Sequence, residues 1–102
     1  MLPFHPDAVR ELEAAIEFLE QERRGYGRRL VSEVRRRLIQ AKRFPHSAPL
    51  VRFIDQAFDA RQFVLRRFRY VIIVANGPQG SRWVYAIAHT SREPGYWLER
   101  LP

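Results

Sequence analysis

The sequence predicts an α+β fold: an N-terminal antiparallel helical hairpin packed on a small antiparallel sheet of about three to four strands, with a short C-terminal helix. Three observations carry this. Apolar residues recur at helical spacing as far as Arg43, and β-branched and aromatic residues take over from Arg61. The links between the later segments are too short for anything but antiparallel pairing. At 102 residues the chain fits one domain spanning residues 1–102.

The stretch FHPDAVRELEAAIEFLEQERR reads as a helix, in which Val9, Leu12, Ile16 and Leu19 make one apolar stripe, widened by Ala8, Ala15 and Phe18. Pro6 suits the first helical position and Asp7 the positive end of the helix dipole. Gly25 and Gly27 break the pattern. A second helix is expected from about Arg28 to Arg43 on a stripe of Leu30, Val34, Leu38 and Ala41, and Pro45 stops it. The connector PHSAPLVRFIDQAFDA is expected to hold a short extended piece at Val51 to Ile54.

Gln62 to Arg67 alternates polar and apolar residues like a half-buried strand, YVIIVA reads as a central strand, and NGPQGS as a turn. In RWVYAIAHT, strict alternation places Trp83, Tyr85, Ile87 and His89 on one face and Val84, Ala86, Ala88 and Thr90 on the other. EPGYWLERL is expected to close the chain as a helix of one to two turns. The hairpin covers one sheet face, which leaves the other partly open.

Charge narrows the function. The net charge is +7, and all but one of the 18 basic residues are arginine, the side chain that pairs bidentately with carboxylates and phosphates. Residues 1–22 carry six acids against Arg10, whereas residues 23–102 carry 17 bases against five acids, a balance of +12. That surplus exceeds what solubility needs and points to a polyanion or an acidic protein as partner. No apolar run approaches the ~20 residues of a membrane span, and no secretory leader is expected. The absence of cysteine excludes thiolate chemistry and suits the cytoplasm, the expected location.

Several chemistries lack their residues. There is no glycine-rich phosphate loop and no His/carboxylate cluster at metal-ligand spacing, so neither a metal nor another cofactor is expected. No serine stands in a nucleophile-elbow context. What remains is a basic constellation assigned to one end of the sheet: Arg61, Arg66, Arg67 and Arg69 with the first long strand, His89 at the end of the last, and Arg92, Tyr96 and Arg100 beyond it. Cleavage of RNA by its own 2′-hydroxyl needs a base, an acid and cations. His89 or Tyr96 suits proton exchange, and Arg61, Arg67 or Arg92 suits phosphate. Against this, a strand-end histidine is more often held by a nearby backbone group or acid, Tyr96 and Trp97 suit packing of the last helix, and Arg100 suits pairing with Glu93 or Glu99 or capping of the last carbonyls.

The order of these parts resembles the toxins of type II toxin–antitoxin modules in the RelE/ParE superfamily, and the ParE-like branch most closely. The resemblance rests on FHPDAVRELEAAIEFL, on Phe44–Pro45 after the second helix, on RQFVLRRFRYVIIV and on AHTSREPGYWLER. It implies a small bacterial toxin neutralised by a cognate acidic antitoxin whose C-terminal segment wraps it, in a toxin–antitoxin hetero-oligomer. ParE-like relatives are known for poisoning DNA gyrase without a recognised catalytic set. RelE-like relatives cut mRNA on the ribosome. The ending of this chain is similar to the ParE type, so non-hydrolytic gyrase inhibition is the favoured expectation, ahead of a ribosome-dependent endoribonuclease or a non-toxic basic binding module. The family-patterned positions are Arg61, His89, Arg92, Tyr96, Trp97 and Arg100, with Trp97 chiefly structural. If the protein were a ribonuclease, the candidates are Arg61, Arg67, His89, Arg92 and Tyr96. Two features depart from the family. Only Met1 to His5 precede Pro6, so the opening strand is expected to be short, missing or lost to a late start site, and Arg69 stands where relatives often carry proline.

Overall fold

The first helix starts where the sequence sets it. His5 precedes it in extended conformation and its Nδ1 accepts the Asp7 N–H at 3.1 Å, while Pro6 occupies a position whose missing N–H costs nothing. In the computed structural model, which describes residues 2–102, helix α1 runs Pro6–Glu22 and helix α2 runs Tyr26–Arg43. The second helix begins two residues before its expected start. Gly25, at φ +92°, turns the chain, and the Glu20 carboxylate accepts the N–H groups of Gly25 and Gly27 at 3.0–3.1 Å. A side chain from α1 thus satisfies N–H donors that the start of α2 leaves without partners. Those bonds hold the Glu20 carboxyl below the ordinary carboxylate range. Gly27 is also where the helices approach closely: a Cβ there would lie 3.0 Å from both Cγ2 and the carbonyl oxygen of Ile16.

Strands β1 (Arg61–Val64), β2 (Tyr70–Asn76) and β3 (Arg82–His89) form an antiparallel sheet in the order β1-β2-β3. The first is shorter than the alternation from Gln62 to Arg67 predicts. Leu65 still donates to the Tyr70 carbonyl at 3.1 Å, but Arg66, Arg67 and Arg69 turn out into solvent. Arg37 of α2 donates from Nε to the Val64 carbonyl at 3.1 Å, which ties that end of β1 to the hairpin. The connector is bent rather than extended across Val51 to Ile54. Leu50 bridges to Arg61, Val51 donates to Ala60, and a 3-10 turn follows at Gln56–Phe58.

The expected alternation in β3 fails in the middle of the strand. Ile73 pairs with Ala86 and Val74 with Val84, so Tyr85 is an extra residue in a β-bulge. Beyond it the faces exchange. Val84 and Ile87 pack with Ile72, Val74 and Phe63 against Ala8, Ala15, Leu30, Val34 and Leu38 of the hairpin. Tyr85, Ala86 and Ala88 pack on the opposite face. That second face is covered in part, by Val51, Ala60 and Trp97 packed with Ile73 and Ala75, and part of it stays open over Val71, Ile73 and Ala88.

Both termini complete the sheet. Phe4 makes a parallel bridge to Val84, with His5 N–H donating to the Val84 carbonyl and Val84 N–H to the Pro3 carbonyl, each at 2.8 Å. Pro3 and Pro6 have no N–H to extend that ladder, so the opening strand is reduced to one bridge; Met1 lies outside the described residues. The closing helix is one 3-10 turn, Leu98–Arg100, preceded by turns. Pro94 and Gly95, at φ +81°, keep Tyr96 out of a helix.

Candidate functional site at the C-terminal end of the sheet

A carboxylate that sequence reasoning passed over organises this end of the molecule. Glu11 lies three residues after Ala8 and four before Ala15, both buried, so α1 turns it towards the sheet. Its Oε1 accepts the N–H of Ile87 at 3.0 Å and Arg100 Nη1 at 2.9 Å. Its Oε2 accepts Arg100 Nη2 at 2.8 Å and the Tyr96 hydroxyl at 2.7 Å. Arg100 also donates to the Tyr85 carbonyl at 3.0 Å. These contacts occupy polar groups on the outer edge of β3, groups that would otherwise invite another strand. Arg100 thus pairs with Glu11, backed by Asp7 at 3.7 Å, and not with Glu93 or Glu99.

Tyr96 lies between two guanidinium groups, with the Arg92 carbon 3.7 Å and the Arg100 carbon 5.1 Å from its ring centre. Burial, followed by the hydrogen bond to Glu11 and its charge, pushes the Tyr96 hydroxyl well above the ordinary tyrosine range. The Glu11 hydrogen bond likewise raises Arg100. His89 ends β3 with its ring edge-on to Tyr70, centres 5.1 Å apart. Its Nδ1 accepts the Ser91 N–H at 3.0 Å and lies 2.7 Å from the Ser91 hydroxyl. The strand-end histidine is therefore held locally.

Two depressions meet at His89, Arg92 and Tyr96. On the outer face a cleft of about 260 Å³ has Val71, Ile73 and Ala88 as its floor, with Phe53 and the 92–97 loop as walls. On the hairpin side a groove of about 270 Å³ runs between Ala14 and Phe18 of α1 and Tyr70 of β2. His89 and exposed Arg92 stand on the ridge between them. Trp97 is buried in the outer-face cluster.

The remaining candidates lie elsewhere. Arg61 pairs with Val74 and His89 with Tyr70, four residues apart along β2 and so roughly 13 Å apart along the strand. Arg61 is spent on structure there, donating to Asp59 at 3.0 Å and to the Ala48 carbonyl at 3.0 Å. Arg82 reaches the same carboxylate at 3.4 Å. Arg67 lies on the hairpin side with Arg29, Ser32 and Arg36. The basic constellation expected at one end of the sheet is thus three separate groups. Sequence reasoning missed Glu11, Asp59 and Arg82; of these only Glu11 left a trace, its place beside the apolar stripe of α1. Among the described residues, no three His, Asp or Glu side chains converge as a metal site, and no helix is long and apolar enough to cross a membrane.

The family model of the ParE toxin of the type II toxin–antitoxin system parDE matches residues 2–94. The chain belongs to the ParE toxin family. It is thereby the toxin of a type II toxin–antitoxin system, with a cognate antitoxin implied as its partner. The resemblance read from the hairpin and the strands is confirmed at this level. The matched stretch stops at Pro94, so the ParE-type toxin carries Tyr96, Trp97 and Arg100 beyond it. No curated protein and no solved structure matches the chain.

Proposed function

We propose that this toxin acts without catalysis, by inhibiting DNA gyrase, and that its acidic antitoxin neutralises it by covering the ridge of His89 and Arg92 with the two grooves beside it. The observation that carries the non-catalytic reading is the commitment of Tyr96. Its proton is held by Glu11 at 2.7 Å and its acidity is suppressed, so it neither gives a proton to a leaving group nor takes one near neutral pH. Arg61 stands at the other end of the sheet, bound to Asp59, and cannot share a scissile phosphate with His89. An exposed arginine beside apolar grooves is the make-up of a protein-docking surface, with a polar rim around an apolar floor. The net charge of +7 favours an acidic partner.

The test pairs two assays. Purified toxin is added to gyrase with relaxed plasmid, and mRNA 5′ ends are mapped in cells after toxin induction. Loss of supercoiling or trapped cleaved DNA, with unchanged mRNA ends, is the expected result. Full gyrase activity at large toxin excess, together with new mRNA ends that disappear in the His89→Ala, Tyr96→Phe double variant, sinks the proposal in favour of ribonucleolysis.

A further inference from the structure

The largest concentration of charge lies away from this site. On α2, Arg28, Arg29, Arg35, Arg36, Lys42 and Arg43 are all exposed. At 100° per residue they fall on one side of the helix, around Ser32 and Ile39. Between Arg28 and Arg43 the stripe is roughly 22 Å long at 1.5 Å per residue. The bend after β1 brings a further cation to it: Arg67 lines a shallow depression of about 160 Å³ with Arg29, Ser32, Arg36 and Phe68. The one carboxylate in that depression, Glu33, is buried and already paired with Arg36 at 3.2 Å. Arg28, Arg29, Arg35 and Arg67 make no ion pair among the described residues. Like charges at this density repel one another and cost stability, so they call for a counter-charge from outside.

We infer that this face of α2, with Arg67, binds the phosphate backbone of duplex nucleic acid without reading its sequence. Four features favour that occupant. Arginine forks suit phosphate oxygens. The apolar surface within the stripe is confined to Ile39 and the depression of about 270 Å³ that it shares with Arg35, Leu38 and Lys42, less than the apolar centre of a protein interface. Of the aromatic rings beside it only Phe44 is largely exposed, where a single strand needs a row of rings on which bases stack. Tyr26 and Phe68 pack edge to face at 6.2 Å, Arg23 and Arg29 lie over Tyr26, and Arg43 lies over Phe44. Each strand of a duplex presents one phosphate per about 3.4 Å, close to the mean spacing of the six cations along this stripe. The toxin would therefore hold nucleic acid through a surface other than the His89–Arg92 ridge, whichever enzyme that ridge engages.

The test is fluorescence anisotropy of the full-length toxin with a labelled random-sequence duplex DNA of 30 base pairs, across a salt series. The triple variant Arg29→Gln, Arg35→Gln, Arg67→Gln is compared with the charge-matched triple Arg10→Gln, Arg52→Gln, Arg69→Gln, each first shown by circular dichroism to be folded. The expected result is a linear fall of log affinity with log salt, its slope shallower by about 2 to 3 in the patch triple, about one unit for each phosphate contact removed. The patch triple also loses at least tenfold in affinity at 0.15 M salt, and the control triple loses less than threefold. Equal losses in both triples mean diffuse attraction by net charge and overturn the proposal, as does the absence of binding at that salt. Tighter binding to a single strand, or to poly-glutamate of equal charge, overturns the choice of duplex.

Discussion

Arg100 is bound through two nitrogens to Glu11, at 2.8 and 2.9 Å, joining the last turn of the chain to its first helix across 89 residues. Both side chains are nearly buried, 15 and 17% exposed. Removing either one strands its partner in a poorly hydrated place. Arg100→Ala is therefore expected to lower stability by about 1–3 kcal/mol, less than a fully buried pair would cost. In a double-mutant cycle with Glu11→Gln, followed by urea unfolding, the coupling should exceed about 1 kcal/mol. Additive losses would show that the two side chains act independently.

Tyr96→Phe keeps the ring between Arg92 and Arg100 and deletes one hydrogen bond, so a loss of about 1 kcal/mol is expected at neutral pH. On the proposed mechanism toxicity in an induction assay is unchanged. The alkaline limb of stability carries a second signature. The unfolded chain releases this proton near the ordinary value of 10.0 while the folded chain holds it higher. The stability contributed is thus full below that pH and is lost as pH rises beyond it. The phenylalanine variant, followed by thermal melting, should have a shallower alkaline limb than the parent.

Arg61 and Arg67 look alike in the sequence and should behave oppositely. Arg61→Ala frees Asp59 and the Ala48 carbonyl inside the fold and is expected to cost about 1–2 kcal/mol, whereas Arg67→Ala, at an exposed position, stays within about 0.5 kcal/mol. Chemical denaturation of the two variants decides this. An Arg61→Ala protein as stable as the parent but non-toxic would return Arg61 to the working surface.

Glu20 gives the hairpin turn a pH dependence. Its carboxyl is depressed by the Gly25 and Gly27 N–H groups, so the contribution is present above the ordinary glutamate value of 4.5 and is lost as pH falls through the lower folded value. Glu20→Gln should remove the part of the acid limb that lies below pH 4.5. A melting-temperature profile identical to that of the parent between pH 5 and pH 3 would show that the turn does not depend on this carboxylate.

Much of this was legible in the residues. Apolar stripes marked both helices, Gly25 and Pro45 marked their limits, and YVIIVA marked the central strand, because these signals are local. The face assignment in β3 failed at Tyr85 because a bulge is set by pairing with β2, and the alternation of one strand carries no record of its partner's register. The closing helix is confined to one 3-10 turn because Gly95 takes a positive φ, which leaves Tyr96 free to turn back towards Glu11.

The sequence by itself determined the class of fold, the family and the uneven spread of charge, since periodicity, motif order and charge counts do not depend on how distant segments meet. Only the tertiary structure decided which charges work together. The arginines grouped by reading along the chain divide three ways: Arg61 to Asp59, Arg67 to the cationic face of α2, and Arg100 to Glu11. Charges attract through space over a few ångströms, and nothing in the chain between residues 11 and 100 records that they will be neighbours.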